Sequence, residues 1–391
     1  MIGYIHNDKD EQDKVLQVLK MLSEKNAIDE LGIGRIRDAF ADMMFPGTST
    51  LQKHVKYFSL MPQVYKKACE RRYNRMAEVK AEIVRLERIM TANLCAGSPG
   101  ATGITGSEMV GKRSNNYVKY DPAYIYNSGL QTFGILRDAQ VQALIYSTSK
   151  AMHEAPRKLK SDDEDTADDA GEQSGLFQFC SFPAVEYDFT ERCSLDLTPK
   201  DKSFIMEHIL GSSKCKGTLL HYIVSHIDDP GFKYRDTFPG VDPEQLPPGL
   251  AELQDLARRF ADFIYMAHVR YNYIYSNYTD GEMLQDFEEA VNGYKKNGTD
   301  IEKILAPIVI TDNSGKHFCR EVAKCVDDED WNALDQCIIR REKQVKGSRR
   351  KLCNPSRTYD KRYRVHYYKL TYRWDTVRTF ADELRKGGQN G

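Results

Sequence analysis

The break Phe45-Pro46-Gly47 between two apolar-striped segments constrains this chain more than any other stretch, because it demands helix, sharp turn, helix. Before it, Ile33, Ile36, Phe40, Met43 and Met44 recur at three- and four-residue steps, which puts one apolar face on a helix. Proline disfavours helical geometry in the residue before it, and glycine tolerates the turn after it. Beyond the break, Thr48 or Ser49 is placed to cap a second helix, with Leu51, Val55 and Phe58 as its buried stripe and Pro62 as a kink or restart.

The rest of the chain reads as helical too. Residues 8–30 carry a helical stripe, and a long charged helix is expected over Gln63–Leu94. The glycines of Gly97–Gly111 mark a loop or hairpin. Asp121-Pro122 opens a helix that stops at Gly134, and a further one is expected over Leu136–Met152. Thr198-Pro199-Lys200-Asp201 is a strong helix start with Gly211 as its stop, and Thr218–His226 is a short helix. Leu250–Tyr275 has the longest regular stripe, and further helices are expected over 282–294, 299–310, 314–326 and 328–346. Alternation suggesting strand appears only over Tyr363–Trp374. The expected fold is therefore mainly α, multi-helix and two-lobed, with a small β-hairpin or winged-helix-like element near the C-terminus.

At 391 residues with 41% hydrophobic and 29% charged side chains, the chain can build a real core. No stretch has the length and apolarity of a membrane span, and the N-terminus does not read as a signal peptide. Nine cysteines stand singly without CxxC spacing, which suits reduced thiols in the cytoplasm. The net charge of −1 creates no global attraction for a polyanion, so any nucleic-acid contact must be local.

Charge is indeed segregated. Asp162, Asp163, Glu164, Asp165, Asp168, Asp169 and Glu172 crowd a stretch that lacks the apolar surface needed to offset ordering. It reads as an acidic linker over 160–175, separating a helical domain over 1–159 from a second over 176–338. A basic aromatic segment over 339–391 closes the chain. There Arg340, Arg341, Lys343, Lys346, Arg349, Arg350, Lys351, Arg357, Lys361, Arg362, Arg364, Lys369 and Arg373 are opposed only by Glu342 and Asp360 before Trp374. Tyr359, Tyr363, Tyr367, Tyr368, Tyr372 and Trp374 are interleaved among them, and Asp375 is expected to cap a short closing helix. Cations neutralise phosphates and aromatic faces stack on bases. Arg349, Arg350, Lys351, Arg357, Arg362, Arg364, Lys369, Arg373, Tyr367 and Trp374 are the candidate DNA contacts. The competing reading is a basic hairpin docked on the protein's own acids.

Two weaker constellations lie in the opening motif. Asp38 and Asp42, one helical turn apart, could share a divalent metal in a nuclease or other hydrolase, or else pair with Arg35 and Arg37. Thr48, Ser49 and Thr50, with Lys53 a turn on, could hold a phosphate or simply cap a helix. No GxxxxGK[ST], HExxH, GxSxG or kinase motif is present, so no catalytic residue, resident metal or cofactor is expected.

The run Gly34-Arg35-Ile36-Arg37-Asp38-Ala39-Phe40-Ala41-Asp42 with Phe45-Pro46-Gly47-Thr48-Ser49-Thr50-Leu51-Gln52 resembles the signature of an uncharacterised bacterial family, a domain of unknown function. Gly103-Ile104-Thr105-Gly106, Asp121-Pro122-Ala123-Tyr124-Ile125-Tyr126 and Tyr372-Arg373-Trp374 extend the resemblance. Genes of that family often lie beside helicase and phospholipase D-like genes in phage-defence neighbourhoods. The resemblance implies a subunit of a multi-protein antiviral system with a helicase or nuclease partner, and it brings no catalytic residue. Together with the basic segment it leads to the expectation of a non-enzymatic DNA-interacting or adaptor subunit. A metal-dependent nuclease using Asp38 and Asp42 is the alternative.

Overall fold

The computed structural model describes residues 29–112, 117–154, 178–184 and 186–387. The opening stripe at 8–28 and the acidic stretch 160–175 lie outside the described residues. Among those described stand thirteen α-helices and no strand; the only β-type pairing is two isolated bridges, Leu136 with Cys180 and Tyr234 with Val241. The expected mainly α fold is present. The expected hairpin or winged-helix-like element is not: apart from one 3-10 turn at Lys361–Tyr363, residues 351–373 run as turns and irregular backbone.

The chain forms two compact units, each discontinuous in sequence. One combines the described residues up to Ala41 with Pro247–Tyr372, and the other combines Asp42–Leu246 with the residues from Arg373 on. These divisions differ from the expected breaks around 160–175 and at 338. Residues on both sides of the acidic stretch belong to a single unit, so contacts made far along the chain outweigh the local drop in apolar content.

In the first unit, the Asp29 carboxylate accepts from the Ile33 and Gly34 amides at 2.9 and 2.6 Å and so starts α1 (Gly34–Met44), satisfying donors the helix cannot. The long α8 (Pro248–Tyr275) packs with α9 (Gly281–Lys296), α10 (Ile301–Leu305) and α12 (Trp331–Lys346), and α11 (Ser314–Asp327) packs on α12. The predicted stripe of α8 is largely core: Phe260, Ile264, Ala267 and Tyr271 are buried. Inside this unit Arg270 forms a bidentate pair with Asp335, at 2.6 and 2.9 Å.

In the second unit, α2 (Tyr57–Cys69) is a buried hub against α3 (Ala77–Gly97), α4 (Pro122–Thr132), α5 (Val141–Glu154) and α6 (Pro199–Gly211). Thr198 and Asp201 form a reciprocal capping box on α6, Thr218 caps α7 (Leu219–Ser225), and Asp121 caps α4 with Pro122 in its first turn. The helix expected over Gln63–Leu94 is two helices. Tyr73 donates its hydroxyl to the Ala68 carbonyl at 2.6 Å, and Arg71 turns to Glu82, so the chain leaves the helix between them. Helix α5 starts at Val141 and not at Leu136, which is held in its bridge to Cys180. The expected closing helix is present as α13 (Trp374–Lys386) and buries Val377, Phe380 and Leu384, but its cap position is Arg373, with Asp375 inside the first turn.

Candidate nucleic-acid interface

The basic segment begins where α12 ends. Asp330 caps that helix by accepting from Ala333 N at 2.9 Å, and Gly347, at φ +55°, takes the chain out of it. The buried carboxylate of Glu342 then organises the next turn of chain. It accepts from Lys351 N at 2.8 Å, Leu352 N at 2.9 Å and the Tyr271 hydroxyl at 2.6 Å, folding the loop back along the helix end. Asn354 donates to the Arg350 carbonyl at 3.0 Å and closes the turn.

Beyond the loop, residues 359–372 form a strap tied to α8 and α9. Asn272 accepts from Val365 N and donates to Val365 O, both at 2.7 Å. Arg364 bridges Asp280 at 2.8 Å and Glu282 at 2.6 Å, and Tyr359 donates to Asp280 at 2.5 Å. Burial works against the Asp280 charge, but hydrogen bonds from Tyr359 and Arg364 and the nearby cations outweigh it and hold the carboxyl down at about 2. Tyr367 donates to Asp286, Tyr372 to the Ala257 carbonyl at 2.7 Å, and Lys369 pairs with Asp262 at 2.6 Å.

Much of the positive charge is therefore answered within the first unit. Lys351 pairs with buried Glu30 at 2.9 Å, Lys361 with Asp280 at 3.4 Å and Arg362 with Asp360 at 2.7 Å. Arg340 pairs with Glu321, and Arg341 is buried against the Leu31 and Gly32 carbonyls. The remainder differs. Lys343, Lys346, Arg349 and Arg357 have no ion-pair partner among the described residues, and the Arg350 side chain meets only the Gly347 carbonyl, at 3.4 Å. Of these, Lys343, Arg349 and Arg357 are exposed. No acid lies between Glu342 and Asp360. Lys343 and Lys346 were not among the candidate contacts, and that acid-free interval was the signal for them.

Arg373 and Trp374 belong to the second unit and serve its core. Arg373 donates to Asp42 at 2.6 Å and to the Thr48 carbonyl at 2.9 Å. Trp374 is fully buried beside Phe45, with its indole N–H on the Arg235 carbonyl at 3.1 Å. Tyr367, whose hydroxyl is spent on Asp286, likewise contributes to the strap.

The opening motif is similarly occupied. No helix starts at Leu51, which is exposed; α2 begins at Tyr57. Ser49 N is satisfied by the Gln52 side chain at 3.0 Å, and Lys53 N and His54 N both reach the Tyr126 hydroxyl at 3.1 and 3.2 Å. Val55 N reaches Glu383 at 2.7 Å. Thr48 bonds its hydroxyl to the Phe45 carbonyl at 2.7 Å, and the Lys53 ammonium lies on the Thr50 carbonyl at 2.9 Å. His54 also touches the Thr102 carbonyl, and Thr105 N the Tyr57 hydroxyl, so the separated motifs around 45–57, 102–106 and 121–126 meet in one hydrogen-bonded knot. Asp38 pairs with Arg37 at 3.0 Å, while Arg35 faces Asp312 at 3.9 Å on the surface. Among the described residues no three His, Cys, Asp or Glu side chains are grouped to hold a metal ion, and no helix is long and apolar enough to cross a membrane.

Residues 1–276 match the model of a family of unknown function, DUF6361, a region that includes the opening signature and stops short of the basic segment. No curated protein and no solved structure matches the chain.

Proposed function

We propose that this chain, which belongs to the DUF6361 family of unknown function, is a non-enzymatic, DNA-contacting subunit of a bacterial multi-protein system in the cytoplasm. The observation that carries the reading is the group Lys343, Lys346, Arg349, Arg350 and Arg357, cations without acidic partners among the described residues, the first two in the last turn of α12 and the others on the loop that Glu342 holds against it. Unpaired cations on an ordered loop can neutralise phosphates and release counterions at little cost in ordering. The defence setting, and a helicase or nuclease as the partner, come from the sequence resemblance alone. The hydrolase alternative has less support, because Asp38 and Asp42 each answer an arginine, Arg37 and Arg373, and among the described residues no third ligand joins them.

The test is a salt titration of the full chain with labelled duplex and single-stranded DNA, beside a variant carrying Lys343, Lys346, Arg349, Arg350 and Arg357 changed to Glu. Five phosphate contacts predict a log–log salt slope of about −4.5 on duplex, and the variant should lose binding. Absence of binding at low salt, or equal binding by the variant, overturns the reading. Salt-insensitive, DNA-independent co-purification of one protein would instead favour a pure adaptor.

A further inference from the structure

Resting on that DNA-contact reading, we propose that this region takes its nucleic acid as a single strand, with Tyr363 as the platform on which an unpaired base stacks. The aromatic residues of the segment are not equivalent. Tyr359, Tyr367 and Tyr372 each spend their hydroxyl on the fold, and Trp374 is buried in the other unit. Tyr368 is 56% exposed, but its hydroxyl lies 3.1 Å from His366 Nδ1. Tyr363 is 74% exposed, and its hydroxyl has no hydrogen-bond partner among the described residues.

An isolated exposed tyrosine needs no explanation. This one is presented by a fixed neighbour. Asp360 accepts from Arg362 Nε at 3.1 and 3.2 Å and from its terminal nitrogen at 2.7 Å, and also takes the Arg362 backbone N–H at 2.9 Å. That grip holds the guanidinium over the Tyr363 ring, 5.7 Å from its centroid, while the residue as a whole stays 74% exposed. Arg362 thus enriches a stacking surface and does not simply float as a phosphate contact. Exposed Arg357 precedes the turn in the chain, and Lys361 within it, though paired with Asp280 at 3.4 Å, keeps 66% of its side chain exposed, so the same stretch of chain offers cations for the strand's backbone.

The preference for a single strand comes from access. Every base has a π face, but in a duplex those faces are covered by neighbouring base pairs, so an exposed ring gains nothing from intact duplex. An unstacked base gains the full contact.

The experiment measures binding of the full chain to labelled oligo(dT), oligo(rU) and a duplex of equal length at one salt concentration, for the native protein, Tyr363→Ala and Tyr363→Phe. We expect at least one single strand to bind more tightly than the duplex. Tyr363→Ala should weaken that binding about 5- to 150-fold, leave duplex binding unchanged, and be rescued in the Phe variant, which keeps the ring. Duplex binding as tight as single-strand binding, or an Ala variant equal to the native protein on both single strands, overturns the inference and leaves the DNA-contact reading standing. No binding of any probe overturns both.

Discussion

His54 Nδ1 lies 2.6 Å from Glu383 Oε1, while its Nε2 lies 2.7 Å from the Thr102 carbonyl. A carbonyl and an ionised carboxylate both accept, so the geometry suits the imidazolium, in which both ring nitrogens donate, and in that form the ring clamps the loop at Thr102 to the closing helix. Burial opposes that charge, but the hydrogen bond and charge of Glu383, helped by Thr102, overcome it and raise the His54 pKa above its usual value.

The raised value has a signed consequence. Stabilisation from His54 is complete below the unfolded pKa of about 6.5 and is lost as pH climbs through the higher folded value. Urea midpoints should therefore fall between pH 6 and pH 9 in the native protein, and fall less in His54→Gln. Equal pH dependence in the two proteins would remove His54 from this role.

Gly240 sits at φ +82° with the position of a Cβ only 2.5 Å from the Trp374 ring. Gly240→Ala combines a strained backbone with a clash against an aromatic core residue, and should cost about 1–3 kcal/mol in equilibrium denaturation. Trp374→Ala, which empties that fully buried site, should cost about 3–5 kcal/mol. The Gly240→Ala penalty should shrink in a Trp374→Ala background, because the clash partner is gone.

Arg364 and Lys369 both pair with acids of the first unit, yet their side chains are 10% and 61% exposed. Removing Arg364 leaves buried Asp280 with the Tyr359 hydroxyl and the more distant Lys361, so Arg364→Ala should destabilise by about 1.5–3 kcal/mol. Lys369→Ala should cost no more than about 1 kcal/mol. The depressed Asp280 carboxyl contributes stability above its unfolded pKa of about 4, lost as pH falls toward 2. Acid titrations of Asp280→Asn beside the native protein should show a smaller loss over that window in the variant.

Glu342→Gln keeps the shape of the group that holds the 347–357 loop but removes its charge. Charge-assisted bonds to Lys351 N and Leu352 N are replaced by weaker ones, at about 1.5–3 kcal/mol. Amide exchange at those two residues should accelerate, with little change in α9. Unchanged protection would mean that packing of Leu352 alone fixes the loop.

Sequence by itself determined the features whose causes are local. Caps at Asp121 and Thr198 and the apolar period of Pro248–Tyr275 all appear where residues a few positions apart placed them, because capping and helical periodicity act within one or two turns. Tertiary structure decided the outcomes for which distant groups compete. The Lys53, His54 and Val55 amides that a helix start would leave open are taken by Tyr126 and Glu383, so α2 starts later than its sequence suggests. The strand-like alternation of Tyr363–Trp374 yields no strand, since Val365 takes its hydrogen bonds from the Asn272 side chain. Likewise the basic segment reads as uniformly cationic until Glu30, Asp262, Asp280 and Glu282 arrive from far along the chain to neutralise part of it. Which cations remain for a ligand is a property of pairing in three dimensions, because Coulomb attraction depends on distance in space and not on separation along the chain.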